Sequence, residues 1–364
     1  MSGPVTEAGE TRVEAGDLDR FCRAVLAAAG CDEASVDAAA RAMMHGSRLG
    51  VDSHGVRLLE HYVTVMEGGR VKTRPSPRIV SEFGAVATFD ADHGHGALGA
   101  FLAMERAVEL AGTFGIGAVG IRNSSHFGPA GAFAIEAAKA GCIGLAFCNS
   151  DSFVRLHDGA MRFHGTNPIA CAAPLEGERP WLFDMATSAI PYNRIQLYRS
   201  LGRDLPEGTA SRDDGVDTVD AASVEMLAPL GGAFGFKGAG LAGIAELFSA
   251  VLTGMKLSFD LLPMGGPDLS TPRGLGAFVM AIRPEAFGDR ETFQQGMRRY
   301  VHELRASPAR AGGAVLAPGD REWAEADRRA VEGVPLDPAT SRAFAQMSER
   351  FGIAPPQPAG HRPD

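Results

Sequence analysis

The chain of 364 residues is 45% hydrophobic and 22% charged, enough to bury a sizeable core and, at this length, to form two domains. A formal charge of −9 without any basic cluster interleaved with aromatic residues argues against a nucleic-acid partner, and no apolar run approaches the length that spans a bilayer, so no membrane role is expected. Residues 1–16 are polar, with Glu7, Glu10 and Glu14 and no basic stretch ahead of an apolar one, a pattern unlike an export signal that predicts a disordered tail and a cytoplasmic location.

Apolar residues at helical spacing predict helices at 17–29 and 33–49, broken at Gly30 and restarted by Asp32 as a cap, leading into Gly50-Val51-Asp52-Ser53-His54-Gly55. A helix over 56–67 should stop at Gly68-Gly69. A strand at 86–89 is followed by a glycine-rich turn, a helix ending near Gly112, a strand at 116–121, a polar loop at 122–128, a helix at 130–140 and a strand at 143–148. This alternation predicts a mixed α/β chain. From 149 to 229 the sequence turns rich in Pro, Gly and Asp around short apolar runs at 169–173 and 181–183, the composition of loops that carry sites. An amphipathic helix is expected over 241–252, a buried strand at 279–282, a helix over 291–305 and a disordered tail at 355–364. Five cysteines, Cys22, Cys31, Cys142, Cys148 and Cys171, form no C-x-x-C pair and read as reduced, buried, small hydrophobic residues.

Gly94-His95-Gly96-Ala97-Leu98-Gly99 has the spacing of a dinucleotide fingerprint between a strand and a helix. The following strand, however, ends in Ile121-Arg122-Asn123 and supplies no acid for a ribose, so a tight turn competes with the Rossmann reading. Asp52-Ser53-His54-Gly55 and Ser124-Ser125-His126-Phe127-Gly128 each set an imidazole beside a hydroxyl and a glycine at a loop–helix junction. Carbonyl reduction needs a proton for the developing alkoxide, and imidazole has the side-chain pKa closest to neutrality. Against this, either histidine alone reads equally as a helix cap or a hydrogen-bonded core residue. His164-Gly165-Thr166-Asn167-Pro168 and Phe183-Asp184-Met185-Ala186-Thr187-Ser188 suit ribose and phosphate oxygens, and Lys237 stands in a glycine loop at a helix start, where charge and dipole both favour an anion. Ordinary turns and a solvated lysine are the competing readings. No metal site is expected, since no H-E-x-x-H or paired Cys/His spacing occurs and His157 and His164 lack a third ligand; no G-x-S-x-G elbow supports a serine hydrolase.

Taken together and in order, Gly50-Val51-Asp52-Ser53-His54-Gly55-Val56, Ser125-His126-Phe127-Gly128, Gly165-Thr166-Asn167-Pro168-Ile169-Ala170, Asp184-Met185-Ala186-Thr187-Ser188 and Phe236-Lys237-Gly238-Ala239-Gly240-Leu241 resemble the type 2 malate/L-lactate dehydrogenase family, which includes sulfolactate and ureidoglycolate dehydrogenases and piperideine-2-carboxylate reductases. The resemblance spans most of the chain. It implies an α/β (α+β) fold that is not Rossmann, with a largely antiparallel cofactor-domain sheet at 121–299 and a second, mixed helical domain of 17–120 plus 300–354 on the substrate side. Gly94-His95-Gly96 then becomes a decoy. Also implied are NAD or NADP as cofactor, a homodimer, and hydride transfer to or from a small 2-oxo or 2-hydroxy acid; the alternatives are a reductase of a cyclic imino acid and, remotely, a binding protein without turnover.

Residue by residue, the resemblance assigns His54 and His126 as the active-site histidines, with Ser53 supporting the first. His126 is the expected acid/base in hydroxy-acid oxidation and His54 in ketone or imine reduction. It assigns Asn149, Ser150, Thr166 and Asn167 to the nicotinamide region, and Asp184, Met185, Ala186, Lys237 and the late loop Pro318-Gly319-Asp320 to the cofactor. Tyr62 lines the pocket. Relatives carry a carboxylate-clamping arginine three residues after the Ser-His-Gly glycine, where this chain has Leu58 with Arg57 beside it as the substrate candidate, rotated by roughly a hundred degrees on a helix. Arg155-Leu156-His157-Asp158 replaces an apolar, glycine-rich turn and offers its charges to a substrate or to solvent.

Overall fold

A computed structural model describes residues 11–359. In chain order, β1 (Thr11–Val13) precedes α1 (Ala15–Ala28), α2 (Glu33–Arg48) and α3 (Leu59–Glu67). The hairpin of β2 (Arg78–Phe83) and β3 (Val86–Asp90) leads into α4 (Gly96–Phe114), β4 (Ile116–Ser124), α5 (Gly131–Lys139) and β5 (Ile143–Cys148). The loop-rich middle holds β6 (Val154–Arg155), β7 (Arg162–His164), β8 (Ile169–Ala173), β9 (Trp181–Met185), α6 (Tyr192–Ser200), β10 (Ala210–Ser211) and β11 (Met226–Leu227). The rest comprises α7 (Phe236–Glu246), β12 (Leu275–Ile282), α8 (Arg290–Ala306), α9 (Asp320–Glu332), β13 (Val334–Leu336) and α10 (Pro338–Phe351).

Seven strands form the main sheet in the order β2-β3-β4-β12-β5-β8-β9. Each neighbouring pair is antiparallel except β3 and β4, which α4 joins as a parallel crossover. The mixed, largely antiparallel architecture expected from the sequence is therefore present. α4 and α5 cover one face through alanines whose small side chains allow close approach: Ala100, Ala103 and Ala107 are fully buried, and a Cβ on Gly117 of β4 would meet the Ala107 carbonyl at 2.0 Å. Over the other face, Phe147, Phe248 and Phe278 stack beneath α7 and its π-helical continuation Leu247–Val251.

A second core gathers Phe21, Leu26, Met43, Leu59, Tyr62 and Phe344 where α1, α2 and α3 meet α10. Both chain ends are tied into it. β1 pairs antiparallel with β13, Val13 is buried, and the Ala359 amide donates to the Arg12 carbonyl, so residues 11–16 and 355–359 are ordered where the sequence predicted tails. Their alternating apolar residues were too few to register against the polar flanks; residues 1–10 and 360–364 lie outside the described residues.

Other boundaries also move. Residue 120 falls inside β4 and residue 300 inside α8; β2 and β3, assigned by sequence to the substrate side, are strands of the main sheet, and α4 packs against it. The helix expected at 241–252 begins earlier, at Phe236, because its glycines are packing residues: a Cβ on Gly238 would meet the Leu230 carbonyl at 2.1 Å. Nor is it amphipathic in the simple sense, since Ile244, Leu247, Val251 and Leu252 are all exposed. Among the described residues no helix is long and apolar enough to cross a membrane.

Candidate active site

The 3-10 turn Asp52–His54 is pressed against α2. Ser47 Oγ accepts the Val56 N–H at 2.9 Å, a Cβ on Gly46 would meet the His54 carbonyl at 2.8 Å, and one on Gly55 would meet Ser47 Oγ at 2.2 Å. From the opposite end of the sequence, the buried guanidinium of Arg329 on α9 forks onto Asp52, with Nη1 and Nη2 donating at 2.5 and 2.8 Å, and also donates to the Ser47 carbonyl. A bidentate pair of this kind fixes orientation as well as distance. The turn that carries Ser53 and His54 is therefore immobilised on both sides.

His126 arrives from the loop between β4 and α5, turned by Gly128 at φ +84°. Its ring stacks on that of His54, with centroids 5.6 Å apart and planes 22° from parallel. Ser53 Oγ lies 2.8 Å from His54 Nδ1, and the Tyr62 hydroxyl lies 2.9 Å from His126 Nδ1. Each Nδ1 is thus engaged, leaving Nε2 as the nitrogen available for proton transfer. Burial pushes the His54 pKa down to about 4. His126 is held well below the ordinary imidazole value, first by burial and then by repulsion from His54, His61, Arg273 and His95. Both rings are neutral near pH 7.

Asn149 and Asn167 are wholly buried. Asn149 donates to the Lys256 carbonyl and accepts from Gly276 N–H; Asn167 donates to Glu246 and the Ala242 carbonyl while its Oδ1 receives the Ser150 N–H at 3.2 Å. These bonds position the loops that carry Ser150 and Thr166. Ser150 and Thr166 remain partly open, bridged by the Thr166 N–H to Ser150 Oγ at 3.0 Å.

Asp184, Pro318 and Gly319 meet in a cleft of about 230 Å³ that Leu182, Arg321 and Glu322 also line. The Asp184 carboxylate accepts the Gly131 N–H at 2.7 Å, which joins this cleft to the start of α5, just beyond the His126 loop. Burial pushes its pKa up to about 6, although one side of the residue stays open. A carboxylate beside a wall of backbone is the donor–acceptor pattern that fits ribose hydroxyls. Met185 and Ala186 extend this edge of β9, half-buried. Lys237 is exposed in the first turn of α7 with its ammonium 5.3 Å from the Phe234 ring. Asp320 is already occupied: it pairs with Arg305 at 2.7 Å and accepts the Ala317 N–H.

Arg57 is not in the pocket. It is exposed on the turn before α3, and its charge acts on Asp337 at the start of α10. One residue of helical offset was enough to carry it to the outer face. Arg155 is buried against Asp217 at 2.5 Å, and His157 faces the ring of Phe236, so this segment braces the α7 loop. The sequence reading overlooked Arg273, a buried guanidinium bonded to Asp151 and the Leu262 carbonyl, and His61, whose pKa falls to about 4 through burial and the nearby Arg273 and Arg70. A lone Arg in Pro272-Arg273-Gly274 carries no local signal; its importance comes from contacts over a hundred residues away.

A family match and relatives named as dehydrogenases make this chain a nicotinamide-dependent oxidoreductase. The chain belongs to the malate/L-lactate dehydrogenase family, whose model matches residues 13–345. It is 32% identical to a malate dehydrogenase of Pyrococcus abyssi, covering 94% of this chain and 95% of that protein. It is equally identical to the NAD(+)-dependent ureidoglycolate dehydrogenase of Escherichia coli K12, over 85% and 88% of the two chains. The crystal structure of Entamoeba histolytica malate dehydrogenase superposes with a TM-score of 0.90 at 26% identity, over 96% of this chain and all of that one. Names in the family specify NAD(+) or NADP(+), and the cofactor here is one of these two.

The depressed histidines make stability depend on pH. The pKa values of His45, His54 and His61 fall to about 4, and that of His95 to about 3, each mainly through burial. Since the unfolded chain takes up these protons near pH 6.5 and the folded chain does not, the stabilisation is complete above about pH 6.5 and is lost as pH falls toward 4. Asp184 acts in the opposite sense between its ordinary value and about 6, one group against these four histidines and against His126 and His164, which are lowered as well. Urea denaturation should show the midpoint falling steadily from pH 6.5 to 4.5; a flat or rising midpoint would show that these imidazoles are solvated.

Proposed function

We propose that the chain moves a hydride between NAD(P)H and a small 2-oxo or 2-hydroxy acid, with the stacked pair His54 and His126 as proton partner. The observation that supports this most is the stacking itself, with both Nδ1 atoms tied to hydroxyls. Asp184 and the backbone of Pro318-Gly319 would hold the adenosine side of the cofactor, Lys237 its charge, and Ser150 and Thr166 the nicotinamide side. When bound, the nicotinamide supplies or accepts the hydride. The protein's own part is to hold or release one proton at an imidazole Nε2. In oxidation a neutral ring takes the hydroxyl proton; in reduction a protonated ring returns it to the alkoxide. Ser53 and Tyr62 fix the rings so that no reorientation accompanies the transfer.

A second reading, reduction of a cyclic C=N acid, is supported by 32% identity over 97% of this chain to a pyrroline/piperideine-2-carboxylate reductase of Pseudomonas putida. The two are separated by following NADH and NADPH oxidation with pyruvate, oxaloacetate, sulfopyruvate and piperideine-2-carboxylate. Turnover of an oxo acid is expected, and in the reverse direction, hydroxy-acid oxidation, His126→Ala should lower kcat at least a hundredfold with cofactor affinity kept. Silence with every substrate while cofactor binds would refute catalysis, and unchanged turnover in the variant would remove His126 from the mechanism.

The protein is also proposed to act in the cytoplasm as a homodimer. Leu247, Val251 and Leu252 are each more than half exposed on one helical run, an apolar patch of the kind that subunit interfaces cover. Sedimentation should give twice the 38.1 kDa chain mass; a monomer at micromolar concentration would contradict it.

A further inference from the structure

We infer that His95 is a positioning residue for His126, acting through Tyr62: its Nε2–H is directed into the face of the phenol ring and holds the hydroxyl that His126 needs. The inference rests on the proton role given to His126 above.

The argument starts from the tautomer. His95 caps α4, and its Nδ1 accepts the Ala97 N–H at 3.2 Å. A nitrogen that accepts carries no proton, so the neutral ring bears its hydrogen on Nε2. The ring stays neutral, because burial to 1% exposure pushes its pKa down to about 3. Nε2 is buried and, among the described residues, has no nitrogen or oxygen partner. A donor left unmade in a closed interior costs the full desolvation of the group, so such atoms call for a partner of another kind. One is present. The Tyr62 ring lies perpendicular to that of His95, at 87°, with centroids 4.2 Å apart, the arrangement in which an N–H meets a π face.

Tyr62 in turn is buried, and among the described residues its hydroxyl has one polar partner, His126 Nδ1 at 2.9 Å. The order is therefore His95, Tyr62, His126, His54. The glycines beside His95 support the same end. A Cβ on Gly96 would meet the carbonyls of Ser125 and His126 at 2.2 and 2.8 Å, and the Gly94 carbonyl accepts from Ser125 Oγ at 2.9 Å. The segment that imitates a phosphate-binding fingerprint is a cradle for the catalytic loop, and its central histidine carries the orienting contact.

A double-mutant cycle tests this. His95→Phe keeps the ring volume, and His95→Asn keeps a side-chain cap for α4; both remove the imidazole N–H, and each should lower kcat roughly three- to tenfold with cofactor KM unchanged. In a Tyr62→Phe background neither should lower kcat further, because the route from His95 to His126 is already cut. A merely structural role would instead multiply the two losses. The second readout needs no turnover, so it stands even if the proposed activity fails. In protein labelled with 15N-histidine, His95 should show a protonated Nε2 whose hydrogen is shifted upfield by the Tyr62 ring, and Tyr62→Leu should abolish that shift. Multiplying losses, a protonated Nδ1, or an Nε2–H indifferent to Tyr62 would each overturn the inference.

Discussion

Two partly buried imidazole rings with centroids 5.6 Å apart oppose each other's protonation. At an effective dielectric of about 20, two unit charges at that separation repel by about 3 kcal/mol, a roughly hundredfold loss in affinity for the second proton. Burial works in the same direction and is the larger cause at both His54 and His126. The pair therefore behaves as a carrier of at most one proton that rests empty at neutral pH. Most of the surrounding architecture serves to hold two rings in a position they would not choose in water.

That support comes from distant parts of the chain. α9 starts at the Gly319 loop of the cleft and ends with Arg329 clamped on Asp52, so one helix links the proposed cofactor edge to the His54 turn. Asp184 reaches back to Gly131 at the start of α5, immediately after the His126 loop. Arg329 is buried, but Asp52 is about half exposed and Glu325 is a second partner of the guanidinium, so the ion pair itself adds little net stability. Its value here is orientation.

How much of this could be read in the sequence follows from the range of the interactions. The two histidine motifs, the strand and helix order from residue 86 to 148 and the glycine loops are local patterns, and they were legible. The buried partners of Asn149 and Asn167 left no sequence signal, because a side-chain amide in a loop looks the same whether or not it is held by Glu246 or the Lys256 carbonyl. Arg57 was misplaced because adjacent helical positions point to different faces, and only packing shows which face is inside. Arg329, 277 residues from Asp52, leaves no local trace at all. Resemblance to a family supplied what periodicity could not, including the dismissal of the glycine fingerprint; contacts within the fold then explain why those glycines are needed.

The account depends on a proton pair that is neutral at rest, and pH profiles of kcat/KM in both directions test this most directly. With a depressed pKa, hydroxy-acid oxidation should be flat from about pH 6 to 8 and fall only in more acid solution, while reduction of the oxo acid should decline about tenfold for each pH unit across the same range. A reduction rate that stays level from pH 6 to 8, or an oxidation rate that climbs steadily through it, would contradict the claim.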